Sequence, residues 1–235
     1  MFTQKTTTND FFIPRQDSIT STEDILNKCV ELDTSRTMTE NILPDFITNT
    51  GNAVHGVISR LTGDFYSSNR KHIFFKKNQK QECAEYVLNH FPLEVLIQKT
   101  IFVLPNTNSI YIDYPLFKTY GTSKNYEIVV NYLLTEINNI ISQYGSFNMH
   151  INLLTFSMSA VERYTQAIQM FCNECFKNTD VKYIDRMVTM YIYNTPNMIG
   201  AISATLIRFT NESIKEKMVY YTKEQSTEML EKLIT

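Results

Sequence analysis

Four cysteines and four histidines are the residues of this chain best suited to nucleophilic, redox or metal chemistry. Only Cys172 and Cys175 lie close together, in Cys-Asn-Glu-Cys. That spacing is half of a tetrahedral zinc site, or one redox dithiol. Zinc would need two more ligands, and His55, His72, His90 and His150 show no ligand spacing. A redox pair belongs just after a strand, at a helix start, whereas this pair falls late in an expected helix. We therefore expect structural cysteines, and a reducing compartment. A nucleophilic thiol needs an exposed turn and a base in reach, and no cysteine is placed that way. His150 lies in an apolar run and shares a strand face with Asn152, so we expect a hydrogen-bonded core histidine rather than a general base. Asp113 ends another apolar run just before Pro115, where a capping or turn role is expected. There is no Gly-x-Gly-x-x-Gly, no phosphate-binding loop and no Gly-x-Ser-x-Gly elbow. The expectation is no enzyme, no catalytic residue, no metal site and no cofactor.

The elements that position these residues change character along the chain. Residues 1–21 are polar and rich in Thr and Ser, which reads as a flexible arm. From 22 to 95 we expect a small helical lobe. Residues 20–33 carry a Ser or Thr cap, early acids and apolar residues at helical spacing. A short helix is expected within 49–63, weakened by Gly56, and an amphipathic one over 79–91. The basic stretch 70–81 encloses Ile73, Phe74 and Phe75. It reads as a solvated loop with an aromatic plug, or as a contact for an anionic membrane. From 96 to 235 strands alternate with long helices. Strands are expected near 100–104, 109–115, 147–156 and 187–194, with helices over 124–145, 159–176 and near the C-terminus. Gly145 should stop the first of these helices. Alternation of this kind implies βαβ units and a mainly parallel sheet, hence an α/β fold. The strands look apolar on both faces, so both should be covered. Helices would cover one face. The other takes either more helices or a hydrophobic ligand with its own lid.

The totals exclude some classes. The chain has 235 residues, 43% of them hydrophobic, enough for one sizeable core. Its formal net charge of −2 offers no basic field, so nucleic-acid binding is not expected. The first residues lack a signal-peptide layout, and no run reaches the roughly 20 apolar residues that span a bilayer. The apolar segment 196–207 is too short for that role. We expect a cytoplasmic protein. Abundant Asn, Ile, Lys, Thr and Tyr, with no Trp, fit an AT-rich genome such as that of a protist or a large DNA virus.

One segment has a recognisable order. From Tyr183 to Tyr221 the chain runs through Asp185-Arg186-Met187, a strand, Asn194-Thr195-Pro196, an apolar helix pattern, a polar turn, Lys215-Glu216-Lys217 and a short run ending in two tyrosines. This resembles, without a gap, the C-terminal half of the CRAL-TRIO lipid-binding domain, the family of the phosphatidylinositol- and α-tocopherol-transfer proteins. Upstream, residues 150–175 resemble the family's preceding strand, loop and helix. Where the family has Asp-Leu-x-Gly, this chain has Asn152-Leu153-Leu154-Thr155.

The resemblance implies a sheet that floors a hydrophobic pocket, helices on one of its faces, and an apolar gate helix over 197–209. It implies non-catalytic binding, and transfer between membranes, of a hydrophobic ligand, foremost a phospholipid such as phosphatidylinositol. Asp185 and Lys217 fall where the phosphatidylinositol-binding branch contacts the headgroup, with Arg186 beside them. The hydroxyl expected near Lys217 falls on Ile214. Tyr191 and Tyr193 share one strand face, and Met190 and Ile192 the other. One pair should face the cavity and the other the core. Met198, Ile199, Ile202, Leu206 and Ile207 are the gate residues. Peripheral membrane contact is expected of such a protein. The alternative is a protein-interaction or structural module, virion-associated in the viral case, that keeps the fold without transferring lipid and binds a partner through residues 1–70.

Overall fold

A computed structural model describes residues 52–69, 76–176, 183–200, 202 and 212–234. The expected arm at 1–21, the helix at 20–33, the aromatics of 70–75, and Leu206 and Ile207 lie outside the described residues.

Among the described residues three helices come first: α1 (Asn52–Ser68), α2 (Lys76–Leu88) and α3 (Leu93–Thr100). A hairpin of β1 (Ile101–Val103) and β2 (Ser109–Asp113) follows. Next come α4 (Tyr114–Tyr120), α5 (Tyr126–Tyr144), β3 (Phe147–Asn152), α6 (Met158–Phe176), α7 (Tyr183–Arg186) and β4 (Met187–Tyr193). A 3-10 turn (Glu212–Lys217), β5 (Met218–Tyr220) and α8 (Lys223–Ile234) complete the series. The strands form one sheet in the order β1-β2-β3-β4-β5. β1 pairs antiparallel with β2, and the other three pairings are parallel. When parallel strands lie side by side in chain order, right-handed crossovers stack their helices on one face.

That face is the apolar one. Ile110, Phe147, Met149, Met187, Met190 and Ile192 are buried against Leu133, Ile137 and Ile140 of α5. Burying each of these side chains contributes about 1.5–3 kcal/mol. The register shift between Phe147 and Met149 places both Met187 and Met190 on the core side. Of the two pairs on β4, Met190 and Ile192 are therefore the core pair, leaving Tyr191 and Tyr193 for the opposite face. A smaller cluster of Tyr114, Tyr126, Ala160 and Tyr164 joins α4, α5 and α6.

The strands are not apolar on both faces, as their composition suggests. Period-2 alternation puts Asn148, His150 and Asn152 of β3 opposite its core residues. The strand expected to reach residue 156 stops at Asn152. The Asn152 side-chain oxygen accepts the Leu154 N–H at 3.1 Å, and Thr155 takes φ of 67°. This local bond turns the chain out of the sheet. Short helices appear where strands or loops were expected: α3 begins after Pro92, and Pro115 lies in the first turn of α4. Proline suits the first helical turn because its missing N–H has no partner there anyway. Helix α5 ends as its sequence indicates. Gly145 takes φ of 77° and its N–H donates to Ile141 O at 2.8 Å.

Candidate functional site

The face of the sheet opposite the core carries rings and polar groups. Tyr111, His150 and Tyr191 lie in register across β2, β3 and β4. Asp113, Asn152 and Tyr193 form the next row, at the strand ends. His150 stacks on Tyr191 at 4.7 Å and lies at 9° to the Tyr193 ring, which in turn stacks on Tyr221 at 5.3 Å. The His150 Nδ1 and the Tyr193 hydroxyl hydrogen-bond at 2.9 Å. Burial pushes the His150 pKa down to about 4, so its imidazole is neutral at physiological pH. Burial also pushes the Tyr193 hydroxyl up to about 12 and raises Tyr111. The result is a wall of uncharged aromatic rings, suited to an apolar or amphiphilic ligand.

The end of this face is braced from the helical segment. His55 Nε2 of α1 meets Asp113 Oδ2 at 2.6 Å. Asp113 holds the N-cap position of α4, yet its carboxylate makes no capping bond and turns to His55 instead. That hydrogen bond, with the carboxylate's charge behind it, raises the His55 pKa. A raised pKa stabilises the fold below 6.5, and this contribution is lost as pH rises through the higher folded value.

The Asn194-Thr195-Pro196 turn is fixed at the end of β4. Asn194 takes φ of 52°, and its Nδ2 donates to Asn152 Oδ1 at 2.8 Å. The Asn194 N–H donates to Ser226 Oγ at 2.7 Å, and the Thr195 N–H donates to Tyr221 O at 3.0 Å. Asn152 thus anchors both the Leu154 turn and the turn that opens the apolar segment. In that segment the Ile202 N–H donates to Met198 O at 3.1 Å, a helical bond. Ile202 is fully buried, Ile199 half-buried and Met198 exposed.

The other expected residues gather at the opposite end of the sheet. The Lys217 ammonium donates to Ile184 O at 2.7 Å and to Met187 O at 2.5 Å. It therefore caps α7, the helix that carries Asp185 and Arg186. Arg186 Nη1 donates to Gly145 O at 3.4 Å, and both Asp185 and Arg186 are exposed. Asp185, Arg186 and Lys217 surround one turn, where backbone carbonyls rather than the Asp185 carboxylate hold the lysine. Tyr111 and Tyr221 escaped the sequence reading, although the alternation of Ser109–Asp113 marks Tyr111 and Asp113 as one face. No local signal marks His55. Cys172 and Cys175 are buried in α6, and burial pushes the Cys175 thiol up. Among the described residues no three His, Cys, Asp or Glu side chains group as metal ligands would, and no helix is long and apolar enough to cross a membrane.

A polar-aromatic sheet face, an opposite face packed with helices, and an apolar segment that follows an Asn-x-Pro turn define an α/β domain. Comparison with protein families matches residues 117–235 to the CRAL/TRIO domain, and the chain belongs to that family. Its members generally bind and transfer hydrophobic ligands and are not catalysts. No curated protein matches the chain.

Proposed function

We propose that this chain binds a hydrophobic ligand on the aromatic face of its sheet, beneath the segment that starts at Met198, and carries it between membranes. The observation that carries the reading is a set of buried side chains that stand outside the main core. Tyr111 is 2% exposed, Tyr193 4% and Ile202 0%, yet none belongs to either apolar cluster of the described residues. Such side chains suit a surface that receives a ligand. The ligand class is a phospholipid such as phosphatidylinositol, as in the phosphatidylinositol-transfer branch of the family. Asp185, Arg186 and Lys217 would take its headgroup. Two of the three Lys217 N–H donors hold carbonyls, which leaves one for a phosphate or an inositol oxygen. Tyr191, Tyr193, Met198, Ile199, Ile202, Leu206 and Ile207 would meet the tails. The exposed Met198 is placed to touch a bilayer during loading. A cytoplasmic, peripherally membrane-associated protein fits this role, with residues 22–95 as its helical lobe.

Native mass spectrometry of the purified chain, paired with transfer of labelled phosphatidylinositol between vesicles, tests the reading. Co-purified lipid and uptake from phosphatidylinositol vesicles are expected. Absence of both, with phosphatidylcholine vesicles equally inert, overturns it.

A further inference from the structure

Asp113 has the backbone of a helix N-cap, with φ of −101° and ψ of 94° before α4, yet its carboxylate caps nothing. An N-cap side chain accepts from the N–H of the second or third helical residue. The second is Pro115, which has none. That leaves the Leu116 N–H, a first-turn amide with no acceptor inside α4. Asp113 Oδ2 instead meets His55 Nε2 of α1 at 2.6 Å. In that position its Oδ1 is buried without a hydrogen-bond partner, a costly arrangement that folded proteins seldom keep. One carboxylate thus has two places to go, and the place it occupies leaves an oxygen and an amide unserved.

We propose that Asp113 is a two-position latch. With His55 charged it clasps α1 against the end of the aromatic face; with His55 neutral it turns to the Leu116 N–H, completes the α4 cap and frees the first turn of α1. The two partners differ in freedom. The His55 side chain is 39% exposed and can swing into water, whereas that of Asp113 is 8% exposed and must find a donor inside. Little else holds the first turn of α1. Among its described residues Ile58 is the first that the core buries, and Gly56, a weak helix former, lies between it and His55. The charges around His55 are few. The Asp113 hydrogen bond and charge favour its protonated form, while burial and the Lys118 ammonium oppose it. Arg60 and Asp64 of α1 fall on the other side of the helix at about 100° per residue. From α2, Lys80 acts on Lys118. Tyr111 and Tyr120 feel the Asp113 charge, but burial raises both and they stay neutral. The latch is made of contacts within the chain and holds whatever ligand the face receives.

Two measurements on the full chain test it. Nuclear magnetic resonance follows the His55 ring and the Leu116 amide from about pH 6 to about pH 9. Both should titrate with one midpoint above the ordinary histidine value of 6.5, the amide proton moving downfield as it gains the carboxylate. Hydrogen exchange of the α1 amides around His55, corrected for the intrinsic effect of pH, should quicken about ten-fold through the same midpoint, the loss of one bond between charged groups. His55→Gln keeps a neutral donor and should abolish both steps. Lys118→Met removes a cation that disfavours charged His55, so it should keep both steps and move the midpoint to higher pH. A Leu116 amide that stays put while His55 titrates overturns the latch, and so does α1 exchange without a step. Steps that survive in His55→Gln belong to another group and overturn it too. If His55→Gln fails to fold by circular dichroism, agreement or disagreement of the two midpoints in the unaltered chain decides.

Discussion

His55 and His150 flank the same sheet face and shift in opposite directions. His55 gains a carboxylate and is raised, whereas His150 is buried among rings and falls to about 4. A depressed histidine destabilises the fold as pH falls, because the unfolded chain takes up the proton first. Between 6.5 and about 4 the cost of keeping His150 neutral grows to about 3 kcal/mol. We expect the unfolding free energy, measured by urea melts, to fall through that window, and His150→Gln to flatten this part of the profile. At Lys217 the capping role has its own signature. Lys217→Ala removes two charge-assisted bonds to backbone carbonyls and should cost about 2 kcal/mol in the same assay. If it instead left stability unchanged while reducing phosphatidylinositol uptake, the lysine would serve the headgroup alone.

Among the elements, α5 was the most legible. Its buried positions Tyr126, Val129, Val130, Leu133, Ile137 and Ile140 recur at helical spacing, and Gly145 closes it. No atom stands within 4 Å of where a Gly145 Cβ would be, so backbone strain alone opposes a side chain there. Gly145→Ala should cost about 1 kcal/mol, read as a lowered melting temperature with unchanged lipid uptake. Helix α8 shows a second local device. The Thr222 N–H donates to Gln225 Oε1 at 2.9 Å, and the Gln225 N–H donates to Thr222 Oγ1 at 3.4 Å. This reciprocal pair is a capping box. Helices α3, α4 and α7 were not legible, because runs of 8, 7 and 4 residues are too short to show a helical period. Strand ends were missed for a different reason. At Asn152 a single side-chain bond decides whether the chain extends or turns.

At the scale of the molecule, the order of strands puts the helices on one face of the sheet and leaves the other for Tyr111, His150, Tyr191 and Tyr193. Ile202 belongs to the apolar segment that starts at the end of that sheet. We expect Ile202→Asp to abolish lipid uptake from vesicles while a cooperative thermal melt survives, because Ile202 is a member of neither apolar cluster of the described residues. Loss of the melt would make Ile202 a core residue. The sequence by itself determined what local chemistry determines: the helical period of α5, its glycine stop, the Asn194-Thr195-Pro196 turn and the run of elements from Tyr183 to Tyr221 that carries the family resemblance. It also separated Tyr191 and Tyr193 from Met190 and Ile192, since alternation is a property of any strand. Only the tertiary structure decided which pair faces the core, because both sets are apolar enough to be buried. It also supplied the His55–Asp113 contact, between residues 58 positions apart, and the Lys217 cap, between residues 33 and 30 apart. Contacts over such separations leave no pattern in the intervening residues, so only the folded chain reveals them.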